Sequence, residues 1–260
     1  MARIIAVSNQ KGGVGKTTTA VNLAACLAAA DKPTLLIDLD PQGNATSGVG
    51  VSKDDVTASI YHLLLNLCTP AEAVVETPVR RLSLIPSNRD LVGAEVELIS
   101  LEGREQRLKR ALDVLSPAFE YIIIDCPPSL NVLTLNALTA ATSVLIPLQC
   151  EYFAMEGLGE LVRTLQLVKA RLNPALEREG IVLTMYDKRN RLAQQVSDEV
   201  RRLFGALVFE AVIPRNVRLS ESPSFGRPII QYDPRSSGAD AYLALTRELI
   251  LKHRKQPQGR

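Results

Sequence analysis

A glycine-rich stretch near the start of the chain has the residue types and spacing of a phosphate-binding loop. It lies between a short apolar run, Ile4–Val7, and an alanine-rich segment with helical spacing. Such a loop requires this order of strand, glycine loop and helix. Glycine lets backbone amides approach an anion closely, and the start of a helix adds unpaired N–H groups. We therefore predict a nucleotide site that includes Gly12, Gly13, Val14, Gly15, Lys16, Thr17 and Thr18.

Two side chains in this loop have defined chemistry. Lys16 is expected to reach the β- and γ-phosphates of the nucleotide, and the Thr17 hydroxyl to bind Mg²⁺. The loop departs from the common G-x-x-x-x-G-K-[ST] pattern, because Gln10 stands at the first glycine position and a second lysine, Lys11, precedes the glycine pair. The pattern assigns no role to Lys11, and a solvated lysine at the loop entrance is the simple alternative.

Aspartates follow two further apolar runs. Thr34–Ile37 precedes Asp38 and Asp40, and Tyr121–Ile124 precedes Asp125. In α/β sheets, ligands bind at the carboxyl ends of parallel strands. Asp125 has the position of a Walker B carboxylate and is expected to support Mg²⁺ through a bound water. Asp40 is the candidate that orients the attacking water, with Asp38 as a support behind it; a turn residue before a proline is the alternative for Asp40.

Strand-like and helix-like segments alternate along the chain, which is typical of an α/β fold with a doubly wound, mostly parallel sheet flanked by helices. Further strands are predicted at Leu82–Ile85, Ser143–Leu148, Ile181–Met185 and Leu207–Ile213. Helices are predicted over most of Val51–Thr77, over Glu95–Leu115, in a segment ending near Leu172, and over Ala239–Lys252. Because no Pro/Gly/Ser-rich linker and no repeat interrupts the pattern, we expect one domain over 1–260 with a frayed polar tail at 253–260.

Composition limits the class of protein. The four cysteines lie far apart, without a zinc pattern, and no apolar run approaches the roughly 20 residues that span a bilayer. With no signal-peptide layout at the start, we expect a soluble cytoplasmic protein without a membrane partner. Residues 1–162 carry a charge balance of −6 and residues 163–260 one of +8. This asymmetry favours a basic surface and a polyanion partner, although solvated helix faces would also account for it.

The loop sequence KGGVGKTT resembles the deviant Walker A motif of the ParA/MinD group of ATPases. With LIDLDPQGNATSG, TMYDKR and PRNVRLSESPSFGRP, the chain is similar to ParA (Soj) chromosome-partitioning proteins over nearly its whole length. The resemblance implies a P-loop NTPase fold and a weak intrinsic, Mg²⁺-dependent hydrolysis of ATP. It makes Lys11 the signature lysine, which reaches phosphates on a partner subunit and so acts in catalysis with Lys16 and Asp40. An ATP-dependent, face-to-face homodimer follows from that role.

Other matching positions carry further implications of the resemblance. Pro214 and Asn216 would border the adenine. Arg189 and Arg218 match positions that bind double-stranded DNA without sequence preference, which implies association with the nucleoid. A ParB-type centromere-binding protein would stimulate hydrolysis and release the DNA. The function predicted in this way is DNA segregation, of a chromosome or of a plasmid.

Three other functions remain open on the sequence alone. A MinD-like peripheral membrane ATPase would need a terminal amphipathic helix with bulky apolar residues, and the polar tail has none. An iron–sulfur reductase of the nitrogenase iron-protein type would need cluster cysteines, for which Cys126 is a poor candidate. A small-molecule ATP-dependent ligase would be active without DNA or a protein partner.

Overall fold

An eight-stranded sheet forms the centre of the structure, a computed structural model that describes residues 2–255. The strands occur in the order β3-β4-β2-β5-β1-β6-β7-β8, and only β3 is antiparallel to its neighbour. The predicted doubly wound, mostly parallel α/β fold is confirmed. The strands are β1 (Arg3–Val7), β2 (Thr34–Asp38), β3 (Val75–Glu76), β4 (Leu82–Ile85), β5 (Tyr121–Asp125), β6 (Ser143–Gln149), β7 (Glu177–Tyr186) and β8 (Val208–Pro214).

Helices cover both faces of the sheet. One face carries α3 to α8 and the other carries α1, α2 and α9 to α11, as the two separate core clusters show. The helices are α1 (Lys16–Ala29), α2 (Asn44–Gly48), α3 (Ile60–Leu64), α4 (Leu91–Glu97), α5 (Arg107–Leu115), α6 (Val132–Ala140), α7 (Ala154–Arg171), α8 (Arg191–Phe204), α9 (Val217–Glu221), α10 (Ile229–Tyr232) and α11 (Ser237–Lys255).

The central strands are apolar throughout because both of their faces are covered. In β5, Ile122 and Ile124 belong to one core cluster while Ile123 belongs to the other. This alternation follows from the two-residue period of a strand, and it explains why these strands read as continuous apolar runs.

The register of three strands determines where the functional motifs meet. Val7 of β1 pairs with Asp125 of β5, and Asp125 pairs with Asp38 of β2. The glycine loop and both aspartate-bearing strand ends therefore lie side by side at the carboxyl edge of the sheet. The chain order reverses at β1, between β5 and β6, which is the usual position of a ligand crevice in such folds.

Two predicted helices are shorter than expected. Between residues 51 and 77, the α-helix is limited to α3, because Asn66 adopts a left-handed conformation (φ 58°) just after it. Leu67, which follows Asn66, is exposed. The predicted helix Glu95–Leu115 is divided into α4 and α5 by 3-10 turns, and between them Gly103 has a φ of 62°.

The predicted frayed tail is wrong for its first residues. Helix α11 continues to Lys255, and the ring of His253 is buried against the sheet. The remaining tail, 256–260, lies outside the described residues. Within residues 2–255, no helix is both long and apolar enough to cross a membrane.

Candidate nucleotide site and basic surface

The glycine loop has the shape of an anion cradle. Gly13 and Gly15 have φ values of 74° and 85°, in the left-handed region that favours glycine, and α1 begins directly afterwards at Lys16. A Cβ added at Gly12 or Gly13 would meet no atom within 4 Å. Within residues 2–255, the amides of Gly12, Gly13, Val14 and Gly15 donate to no protein acceptor. The loop therefore presents free donors to an open space at a helix N-terminus.

Lys16 is a buried cation directed at this space. It is 7% exposed, and the one hydrogen bond of its side chain among the described residues joins Nζ to the carbonyl oxygen of Lys11 at 3.0 Å. Burial lowers the pKa of Lys16, and the nearby carboxylates of Asp125 and Asp40 oppose this effect. Within residues 2–255 Lys16 forms no ion pair, so a terminal phosphate would supply an anion in direct contact with its ammonium group.

Asp125 is a fully buried carboxylate, and neither of its oxygens makes a hydrogen bond within residues 2–255. Burial, and then the charge of Asp38, raise its pKa well above the ordinary value. The Thr17 hydroxyl opposes this shift more weakly, from a position outside hydrogen-bond geometry. Unpartnered carboxylate and hydroxyl oxygens are hard ligands, so the site fits Mg²⁺.

A Mg²⁺ ion at this site would need ligands from the nucleotide and from water. Within residues 2–255, no group of three or more His, Cys, Asp or Glu side chains is arranged to hold a metal ion. This agrees with the general behaviour of Mg²⁺, which binds one or two protein groups together with phosphates and water.

Asp38 is buried beside Asp125, but its oxygens already have partners. Its Oδ2 accepts hydrogen bonds from the backbone N and the Oγ1 of Thr46, both at 2.7 Å, and its Oδ1 accepts one from the backbone N of Asp40 at 3.2 Å. Burial raises its pKa to about 6 against the effect of these bonds. The geometry suits the predicted supporting role, since Asp38 fixes the backbone of the loop that carries Asp40.

Asp40 lies half-exposed at the same edge of the sheet. Its Oδ1 accepts a hydrogen bond from the backbone N of Gln42 at 2.9 Å, which leaves Oδ2 available for a water. Its carbonyl oxygen accepts one from Ser87 Oγ at 2.8 Å, and Ser87 N donates to Thr46 Oγ1 at 2.9 Å. Sequence reasoning missed Thr46 and Ser87. Thr46 lies within the LIDLDPQGNATSG stretch, whereas nothing local marks Ser87.

The Lys11 side chain contacts a residue of its own chain. Its Nζ lies 2.6 Å from Oε2 of Glu151, and both side chains are partly exposed, at 38% and 47%. Its backbone N donates to Asn9 Oδ1 at 3.0 Å. Sequence reasoning missed Glu151, which lies 140 residues away, two residues beyond the end of β6. Because this pair is open to solvent, breaking it costs little.

A cavity of about 470 Å³ adjoins the glycine loop. Pro214 and Asn216 line it together with Gly15 and Thr18, so the structure brings the predicted adenine neighbours to the loop. Thr184, a further lining residue that sequence reasoning did not single out, donates from Oγ1 to the carbonyl oxygen of Val14 at 2.8 Å.

Comparisons with known proteins give a consistent result. The family model described as an AAA domain matches residues 2–178. The chain is 58% identical over 261 residues to the chromosome partitioning protein ParA of Myxococcus xanthus, covering 100% of this chain and 92% of that protein. It is 55% identical over 249 residues to the sporulation initiation inhibitor protein Soj of Bacillus subtilis, covering 96% and 98%. This chain belongs to the ParA/Soj chromosome-partitioning family.

A solved structure similar to this ParA/Soj chain contains nucleotide and metal. It is cobyrinic acid a,c-diamide synthase from Mycobacterium smegmatis with bound ADP and magnesium, with a TM-score of 0.86 and 40% identity over 99% of this chain and 97% of that one. The predicted resemblance to ParA/Soj proteins is confirmed, and the relatives of this chain are P-loop ATPases.

The two arginines assigned to DNA by the ParA/Soj resemblance lie outside the cavity beside the loop. Arg189 makes a bidentate pair with Asp187, with Nε–Oδ1 and Nη2–Oδ2 distances of 3.0 and 2.9 Å. Arg218 pairs with Glu221 at 2.9 Å and with Asp233 at 3.4 Å. Both arginine side chains are more than half exposed. Exposed pairs of this kind are weak, so a polyanion can compete for both arginines.

Proposed function

We propose that this protein is an Mg²⁺-dependent ATPase that segregates DNA, a chromosome or a plasmid. The observation that carries the proposal is the buried, unpartnered carboxylate of Asp125, which lies beside Lys16 at an open glycine loop. A buried charge without a partner is costly, and a nucleotide with its metal would remove that cost. The partitioning relatives supply the biological role.

Each residue of the site then has a defined task in hydrolysis. The loop amides and Lys16 bind the phosphates, whereas Thr17, and Asp125 through a water, would hold Mg²⁺. When bound, Mg²⁺ neutralises charge on the phosphates. The free oxygen of Asp40 accepts a hydrogen bond from the attacking water and orients it in line. Asp38, held by Thr46, keeps the Asp40 loop in position.

Dimerisation is the step that involves Lys11. In the ATP-bound form, its ammonium group leaves Glu151 and reaches the phosphates bound by a second subunit. The exposed pair at 2.6 Å is weak enough for a multiply charged phosphate group to displace it. Added positive charge at the phosphates stabilises the transition state for transfer.

DNA binding follows from the dimer. Two basic surfaces on one body contact the same duplex, so the second contact gains from effective concentration. Arg189 and Arg218 contact phosphates and read no bases, because phosphate contacts carry no sequence information directly. A ParB-type partner accelerates hydrolysis, and the resulting monomers leave the nucleoid DNA.

The test is DNA binding compared with ATP, with ADP and without nucleotide, on duplexes of two unrelated sequences. We expect strong, salt-sensitive binding with ATP only, on both sequences. Lys11→Ala should lose dimer formation and DNA binding together while ATP still binds. Arg189→Glu or Arg218→Glu should lose DNA binding alone, whereas Arg80→Glu, an exposed arginine in the acidic part of the chain, serves as the matched control.

A second candidate function is small-molecule ligation driven by ATP. It is favoured by one observation, the 40% identity to the solved structure that carries a diamide synthase name. The same binding experiment separates the two functions. A ligase would turn over ATP without DNA or a protein partner, and its affinity for DNA would not depend on the nucleotide.

A further inference from the structure

A second cavity, of about 680 Å³, lies next to the one beside the glycine loop. It is formed at the carboxyl ends of β7 and β8 and the start of α11, and we call it the basic groove. Three cationic side chains line it, Lys188, Arg189 and Arg215, together with the two acidic residues Asp187 and Asp240. Pro214 and Arg215 line both cavities, so this two-residue segment is the wall between them.

Arg215 differs from the two arginines already discussed. It is exposed, and within residues 2–255 it forms no ion pair, whereas Arg189 and Arg218 are each held by carboxylates. Its backbone N donates to the carbonyl oxygen of Tyr186 at 3.2 Å, which ties the Arg215 backbone to the end of β7. Its charge also contributes, after Arg189, to the lowered pKa of Asp187, so the Arg215 guanidinium lies within electrostatic range of the groove.

We propose that Arg215 contacts a phosphate of double-stranded DNA directly and that the basic groove receives the DNA backbone between Arg189 and Arg215. The inference rests on the proposed DNA-binding function and adds a contact residue and a place on the surface. An unpaired, exposed guanidinium binds a phosphate in bidentate form without first giving up a carboxylate. Arg189 must exchange Asp187 for the phosphate, whereas Arg215, like the exposed Lys188, forms no ion pair within residues 2–255 and is available at once.

The position of Arg215 also connects the groove to the nucleotide. The next residue, Asn216, lines the cavity beside the glycine loop, caps α9 by accepting from Leu219 N at 3.2 Å, and donates to Ser237 Oγ at 2.8 Å. These bonds tie the residue next to the wall to α9 and to the start of α11. Arg215 therefore belongs to a fixed segment that borders both the groove and the nucleotide cavity.

The experiment measures binding of a short fluorescent duplex by anisotropy over a series of salt concentrations, with ATP saturating for each variant. Arg215→Gln is expected to lower affinity about tenfold, the size of one charge-assisted hydrogen bond. It should also reduce the slope of log affinity against log salt by about one for each DNA phosphate that is no longer neutralised, equally on unrelated sequences. Arg80→Gln is the matched control and should match the wild type, and Arg215→Lys should recover much of the salt slope.

An unchanged affinity and salt slope in Arg215→Gln would overturn the inference while the wild type still bound DNA. A role of Arg215 confined to the nucleotide would leave the slope intact once ATP is saturating, and that result also overturns it. Failure of the wild type to bind DNA in any nucleotide state would instead refute the proposed function, and the inference with it.

Discussion

Two buried carboxylates near opposite ends of the sheet have opposite surroundings. Glu179, near the amino end of β7, accepts from Ser143 Oγ at 2.7 Å and lies 3.0 Å from His253 Nε2 and 3.1 Å from Lys252 Nζ. Burial acts to raise the pKa of Glu179, but its hydrogen bond to His253 and the charges around it outweigh burial and lower it to about 2. The carboxylate of Asp125, at the carboxyl end of β5, makes no hydrogen bond within residues 2–255, and its pKa is raised.

The difference separates a structural charge from a functional one. Buried polar groups in folded proteins are nearly always satisfied, so an unsatisfied one needs a reason. Glu179 joins α11 to the sheet, and Tyr121 extends the cluster through a contact of 3.2 Å between its hydroxyl and His253 Nδ1. The Asp125 carboxylate makes no hydrogen bond within residues 2–255, and the charge of Lys16 offsets its burial only in part. Burying this carboxylate without a hydrogen bond is unfavourable. Such an arrangement is typical of functional positions with perturbed pKa values, where a bound ligand completes the site.

The largest effect is expected at Glu179. Glu179→Gln leaves the buried His253 and the Lys252 ammonium without their carboxylate, and breaking a buried pair in this way costs about 3–5 kcal/mol of unfolding free energy. Urea unfolding near neutral pH measures it. Glu177→Gln, on the same strand but exposed, is the matched control and should change stability by no more than about 0.5 kcal/mol. Equal losses of unfolding free energy in the two variants would show that the contacts of Glu179 with His253 and Lys252 have no special structural role.

Asp125→Asn should change the stability of the fold in the opposite direction to Glu179→Gln. Replacing an unpartnered buried charge by a neutral amide is expected to raise the unfolding free energy of the nucleotide-free protein by about 1 kcal/mol. ATP hydrolysis should fall about 10–100-fold, the usual cost of losing a group that positions a metal through its shell. Phosphate release and urea unfolding give the two readouts. A variant that lost stability as severely as Glu179→Gln would contradict the contrast between the two carboxylates.

The functional end of the sheet was predictable because its signals are local. The glycine loop and the runs before Asp38 and Asp125 each lie within a few residues, and strands buried on both faces read as unbroken apolar runs. Parallel pairing then places the strand ends together. Helix α8 is absent from the sequence predictions, although the spacing of its buried residues could have revealed it; they are Ala193, Val196, Ser197 and Val200.

The structural end was not predictable, because its contacts join distant parts of the chain. His253 belongs to a tail that composition marks as polar and frayed, yet its partner Glu179 lies 74 residues away and Tyr121 lies 132 residues away. The same limit applies at the functional end, where the pairing of Lys11 with Glu151 spans 140 residues. Such pairings depend on the order of strands in the sheet, which no single motif encodes.

The smallest effect concerns pH, and it tests whether charge explains the contrast. The pKa of Glu179 is lowered to about 2 from an ordinary value of 4.5, so its contribution to stability is complete above pH 4.5 and is lost as the pH falls toward 2. The stability gap between wild type and Glu179→Gln should therefore shrink by about 1.4 kcal/mol per pH unit within that window. Urea unfolding of both proteins at pH values of about 5, 4 and 3 measures the gap. A stability gap that stayed constant with pH would show that Glu179 stabilises the fold through packing and not through its charge. The contrast between Glu179 and Asp125 would then not be electrostatic.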